Sequence, residues 1–148
     1  MTVLQDRQLQ RNRKSYFWSF IRNDDHYSKY YNGMFILFKT GLRISEFCGL
    51  TVKDIDPSGE KINVNHQLQR TRGMQYVIED TKTSSGTRML PMTDEVYECF
   101  EQVVKNRKKV RVEPIIDGYS RFLFLDKKDM PEVALHWEKT FSVGVRKV

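Results

Sequence analysis

The chain has 148 residues, with 25 Lys and Arg against 19 Asp and Glu for a formal net charge of +6, and 39% of it is hydrophobic. That balance suits one domain with a real core and excludes a disordered tail. The longest uninterrupted apolar run, residues 34–38, falls far short of the roughly 18 residues a transmembrane helix needs, and the polar N-terminus has no signal-peptide core, so the chain is expected to be soluble and cytoplasmic.

No repeat, low-complexity stretch or Pro/Gly-rich linker divides the sequence. Tyr16, Phe17, Phe20 and Ile21 recur at helical spacing behind Arg7, Arg11, Arg13 and Lys14, which predicts an amphipathic helix with a basic face. Tyr31, Met34, Phe35 and Phe38 follow the i, i+3, i+4, i+7 pattern of a second helix, and Gly41 stands where a helix stops in a left-handed turn. Residues 43–50 read as a short third helix. The two cysteines, Cys48 and Cys99, sit among apolar residues at helical spacing, as reduced, buried thiols do.

Asp56-Pro57-Ser58-Gly59 is turn chemistry, and it introduces segments whose apolar residues alternate instead of following a helical period. Three antiparallel strands are predicted. The first carries Ile62 and Val64, the second Met74, Tyr76 and Ile78, and the third Met89, with Ser84-Ser85-Gly86 turning between the last two. Thr93 is a good N-cap for a helix with Asp94 and Glu95 in its first turn and a stripe of Val96, Phe100, Val103 and Val104. Residues 122–125 read as a short buried segment, and residues 132–146, after Pro131, as a last helix. The fold class is α+β: a mainly helical domain with a small three-stranded antiparallel sheet.

Two segments carry candidate chemistry. In Thr40-Gly41-Leu42-Arg43-Ile44-Ser45-Glu46 an arginine stands at a helix start with a glutamate three residues on. One reading is a guanidinium oriented by Glu46 to clamp a phosphate in two-pronged fashion; the other is a solvated surface ion pair, and spacing does not separate them. Lys82, between Thr81 and Thr83 before the turn, can reach a phosphate or donate a proton to a leaving oxygen, or serve solubility alone. The basic stretches at residues 7–14 and 105–111 and at Arg70 and Arg72 are open to the same two readings.

Together the segments resemble a known family. The run Thr40-Gly41-Leu42-Arg43 through Glu46, Leu50 and Asp54-Ile55-Asp56 is similar to the first active-site box of the tyrosine recombinases, the integrases related to that of phage lambda. Thr81-Lys82-Thr83 through Gly86, Arg88 and Pro91 resembles their lysine-bearing strand pair, and Asp117-Gly118-Tyr119-Ser120 through Phe122-Leu123-Phe124-Leu125-Asp126 fits the stretch after their central helix. Within the family the chain is most like the integrases of conjugative transposons.

The resemblance implies site-specific DNA integration and excision by a metal-free transesterification, in which a tyrosine attacks a phosphodiester, a phosphotyrosyl link forms and strands are exchanged without ATP. Arg43 and Lys82 would be catalytic: Arg43 would hold nonbridging phosphate oxygens, supported by Glu46, and Lys82 would protonate the departing sugar hydroxyl. Arg43, Lys82, Thr81, Thr83, Arg88 and Arg70 would contact DNA. No cofactor is expected. The implied partners are duplex DNA at mobile-element ends and target sites, further integrase protomers and accessory excision proteins, with no membrane, in the nucleoid-associated cytoplasm of a bacterium.

The family also has a His-x-x-Arg box and a later nucleophilic tyrosine. His26, His66 and His136 are followed three residues on by Lys29, Gln69 and Lys139, and none of the seven tyrosines has a suitable context. Tyr16, Tyr31 and Tyr97 are expected to pack in or beside the core. No nucleophile is assigned, and residues 1–148 are read as a partial, truncated catalytic domain lacking the second active-site box and the nucleophile segment, inactive on its own. The histidines and cysteines make no zinc-site spacing, and the eight glycines no phosphate loop or dinucleotide fingerprint. A non-catalytic DNA-binding or regulatory module with the same fold is the alternative, and an interaction domain charged only for solubility is a third reading.

Overall fold

The computed structural model describes residues 2–80 and 87–147, with side chains described through residue 142. Its order is helix α1 (Val3–Asn23), α2 (Tyr31–Thr40), α3 (Ile44–Cys48), strands β1 (Lys61–Val64), β2 (His66–Arg70), β3 (Tyr76–Asp80) and β4 (Arg88–Pro91), then α4 (Asp94–Lys105) and α5 (Ala134–Lys147). Single 3-10 turns at Ser28–Tyr30 and Val52–Asp54 link the early elements.

The helix boundaries follow their capping chemistry. The Thr93 hydroxyl accepts the Val96 N–H at 3.3 Å to start α4, and Gly41, at φ 68°, ends α2 in the left-handed region that glycine enters without strain. Helix α1 begins with a capping box between Thr2 and Gln5. Its first two thirds stand clear of the core: residues 2–16 are exposed, and the helix joins the core only from Phe17 onward. Tyr16 is therefore not a packing residue, contrary to the reading from its spacing; it is 71% exposed, because the apolar stripe that would cover it starts one residue later. Tyr31 is half-buried against the core, as expected, whereas half-buried Tyr97 lies over Gly59 with its hydroxyl donating to the Pro57 carbonyl, and is not among the residues packed on the core.

The core lies where α2, α3 and α5 meet the segment at residues 122–125. Phe47 of α3 stacks on Phe124 with centroids 4.3 Å apart, and Trp137 of α5 meets Phe47 edge-on at 4.9 Å. Leu123 and Val52 tie this segment to α3 by backbone bonds to Leu50 and Arg121. Helix α2 also packs along α4, and α3 packs on β2.

The strands differ from the three expected. Among the described residues there are four, in two antiparallel pairs: β1 with β4, placing Ile62 opposite Leu90, and β2 with β3, placing Leu68 opposite Ile78. β2 has Leu68 as its single large apolar residue, too little alternation to announce a strand, yet it supplies the buried partner that β3 needs. Consequently β3 pairs with β2 and not with β4, and the expected turn at Ser84-Ser85-Gly86 lies outside the described residues. Met74 belongs to the β2–β3 turn, at φ 62°, and Met89 points outward, because the alternation of β4 turns Arg88 and Leu90 inward instead.

Candidate active site

The site is built on the junction between α2 and α3. The Thr40 hydroxyl donates to the Ile36 carbonyl and accepts the Leu42 N–H, and with left-handed Gly41 this turns the chain sharply into Arg43. Arg43 has extended backbone at the N-cap position, and its carbonyl accepts the Phe47 N–H at 2.9 Å. Its side chain is exposed, and the guanidinium has no hydrogen-bond or ion-pair partner among the described residues.

Glu46 is the opposite: it is 3% exposed. Its Oε1 accepts the Arg43 backbone N–H at 3.0 Å, and its two oxygens take both terminal nitrogens of Arg88, Nη1 to Oε2 at 2.8 Å and Nη2 to Oε1 at 3.0 Å. Burial pushes this carboxyl up, but the Arg88 hydrogen bonds, the Arg43 N–H and the two positive charges outweigh it and hold it below the usual glutamate range. Thus Glu46 grips the backbone of Arg43, while the guanidinium it orients is that of Arg88. The sequence reading had paired it with the Arg43 side chain; helix geometry instead turns N3 inward toward β4 and leaves the N-cap side chain outside.

A second network fastens α3 to the β2–β3 hairpin. His66 of β2 is buried; its Nε2 donates to the Gly49 carbonyl at 2.6 Å, and its Nδ1 lies 2.6 Å from the Asn65 side-chain amide. The imidazole stacks on Tyr119 at 4.1 Å, and the Tyr119 hydroxyl donates to Asp80 at the end of β3. Burial first, then the Asp80 carboxylate, raises the Tyr119 phenol above its ordinary value. Asp117, in a turn at φ 48°, accepts the Ile78 N–H at 2.8 Å and so closes the free edge of β3. Sequence reasoning missed this network, since a lone His and a lone Tyr 53 positions apart carry no spacing signal.

The remaining candidates scatter differently. Arg70 is half-buried with its guanidinium 5.9 Å from the centroid of the Tyr76 ring. Arg72 is exposed in the β2–β3 turn. In the stretch 105–111, Arg107 is structural: it forks onto Glu113 with two 2.7 Å bonds and donates Nε–H to the Phe122 carbonyl. Lys82, Thr81 and Thr83 lie outside the described residues. Among the described residues no group of three His, Cys, Asp or Glu is arranged to hold a metal ion, and no helix is long and apolar enough to cross a membrane.

Residues 8–146 match the Phage integrase family model. Over 130 residues the chain is 48% identical to the transposase from transposon Tn916 of Enterococcus faecalis, covering 87% of this chain and 32% of that protein, and equally to the transposase from transposon Tn1545 of Streptococcus pneumoniae. It thus spans about a third of the length of the curated relatives it matches. The Tn1549 transposon integrase in complex with circular intermediate DNA superposes with a TM-score of 0.83 at 44% identity, over 99% of this chain and 44% of that one. The XerA recombinase, at 18% identity and a TM-score of 0.65 over 93% of this chain and 40% of that one, shares the fold alone. With the family model matching nearly its whole length, the chain belongs to the phage integrase family, the tyrosine recombinases.

Proposed function

We propose that this chain forms part of the catalytic domain of a site-specific recombinase that integrates and excises a mobile element, contributing DNA binding and the first arginine of the active site. The observation that carries this reading is the state of Arg43: an exposed guanidinium, without a hydrogen-bond or ion-pair partner among the described residues, on a backbone pinned by a buried carboxylate. A permanently charged fork on a fixed stem suits two nonbridging phosphate oxygens, and its value is greatest when charge builds on them in the transition state. In that reaction a tyrosine supplied outside the residues assigned here attacks phosphorus, the bond to the sugar oxygen breaks, and Lys82 gives that oxygen its proton. Thr81, Thr83 and Arg70 add contacts to the DNA backbone. The partners are duplex DNA at element ends and target sites, further integrase protomers and accessory excision proteins, in the bacterial cytoplasm on the nucleoid. The reaction conserves bond energy and uses no cofactor.

The reading is tested by the affinity of the chain for duplex carrying an element end, measured from low to physiological salt. A steep loss of affinity with salt is expected, and Arg43→Ala weakens binding and flattens the slope by about one phosphate contact. Affinity indifferent to salt, or to Arg43, would contradict it.

A further inference from the structure

Glu46 has a choice of two arginines. Arg43 and Arg88 both lie close enough to make it more acidic through their charge, yet both carboxylate oxygens accept from Arg88. The Arg88 side chain is 32% exposed and the Glu46 side chain 4%, so the pair is anchored on the buried partner. Two parallel N–H···O bonds make a fork-on-fork contact, the tightest geometry this pair of side chains can adopt, and the Arg43 N–H occupies much of what remains on Oε1. A buried carboxylate left without this partner cannot stay ionised and unpaired. The other cation whose charge acts on it is the Arg43 guanidinium, three residues back on the same junction.

We infer that Arg88 is a positioning residue: by saturating Glu46 it keeps the guanidinium of Arg43 unpaired and free for a phosphate. This rests on the reading of Arg43 as a phosphate-binding group, and it assigns Arg88 a different task from the direct DNA contact that its basic character suggests. Arg88 stands on the inward face of β4 beside Leu90, opposite Val64, and not on the outward face with Met89. Each of its two terminal nitrogens already gives one N–H to Glu46. In its absence Glu46 would draw Arg43 inward, and the stem that the Arg43 N–H bond fixes would carry a side chain folded back on the protein.

The test reads Arg43 directly. In the 148-residue chain, the rate at which an arginine-specific dicarbonyl modifies Arg43 is followed by peptide mass spectrometry, with circular dichroism as a check that each variant is folded. The inference expects Arg88→Gln to slow modification of Arg43 on the order of fivefold, as a new ion pair would. Removing the competing carboxylate as well, in R88Q/E46Q, restores the rate to near that of the parent chain. Arg88→Lys, which keeps the charge and loses the fork, slows it by a smaller factor and serves if R88Q does not fold. Unchanged Arg43 reactivity in R88Q and R88K overturns the inference.

Duplex affinity of the same proteins separates the remaining roles. Loss of affinity in R88Q that disappears in an Arg43→Ala background, and recovers in R88Q/E46Q, is the expected result. Losses from R88Q and R43A that simply add assign Arg88 a phosphate contact of its own and overturn it. If R43A leaves DNA binding untouched, the proposed function fails while the modification result still decides the relation between Arg88, Glu46 and Arg43.

Discussion

The Nε2–H of His66 and the carbonyl of Gly49 meet at 2.6 Å, and through this bond strand β2 is fastened to the end of the helix that Arg43 begins. Gly49 permits the approach: a Cβ there would stand 3.0 Å from the Leu68 nitrogen and 3.3 Å from His66 Cδ2. The fold thus joins the arginine-bearing helix and the hairpin that ends at Asp80 through this bond and the packing of α3 on β2.

His66→Phe keeps the ring and its stacking on Tyr119 but leaves the buried Gly49 carbonyl unpaired. It should cost about 1–3 kcal/mol in urea unfolding, the penalty of an orphaned buried acceptor, and His66→Ala should cost more through the added cavity. Equal stability of parent chain and H66F would show that the bond is dispensable.

Helix α2 should reject a methyl group at Gly33. In an open helix the change to alanine gains about 1 kcal/mol, but here the new carbon would overlap the Trp137 ring, with Cζ3 at 2.9 Å and Phe47 Cζ at 3.2 Å. Overpacking costs about 1–3 kcal/mol, so Gly33→Ala should be destabilising on balance. Thermal unfolding checks this: a raised midpoint would mean that α2 and α5 can move apart freely.

Two carboxyls push stability in opposite directions with pH. Glu46 is more acidic folded than its ordinary 4.5, so its contribution is present above that value and is lost as pH falls through the lower folded value. Glu132 is the reverse: burial, then the Asp126 charge, raise it from 4.5 to about 7, with Lys29 opposing. The folded state holds its proton more tightly, so stability declines as pH rises from 4.5 to about 7. Glu132→Gln should therefore be nearly neutral at pH 4.5 and stabilising at pH 8, by at most about 3 kcal/mol. Urea unfolding at the two pH values measures it, and an E132Q effect independent of pH would contradict the assignment.

The thiols should be inert in the native state. Burial, reinforced by nearby glutamates, pushes Cys48 far up and Cys99 up to about 11, and the thiolate is the reactive form. A chromogenic disulfide reagent should titrate both cysteines only after urea unfolding; rapid reaction of Cys48 in buffer would show that the α3–α5 packing opens readily.

Most of the helical scaffold was legible because its signals are local: the Thr93 cap, the Gly41 stop and the apolar periods of α2 and α4 each act within a few residues. Strand β2 escaped because its one large apolar residue, Leu68, makes sense only against β3. Tyr16 misled because periodicity gives a face but not where a partner for that face ends. At the site, Arg43 and Glu46 were visible as a pair, and their relation was not: which arginine a glutamate grips is settled by β4, 42 positions away in sequence. The inward turn of Arg88 was available from the alternation of β4, where a charged residue on the buried face implies a buried partner.

The proposed role of Arg43 is to stabilise negative charge on the phosphate being cleaved. Its most direct measurement is single-turnover cleavage by the complete integrase containing these residues, parent against Arg43→Ala, on a scissile phosphodiester and on a neutral methylphosphonate at the same position. If Arg43 acts in this way, the loss is on the order of 100-fold on the phosphodiester and small on the methylphosphonate, where the charge is already gone. An equal loss on both substrates would mean that Arg43 does not act on that charge.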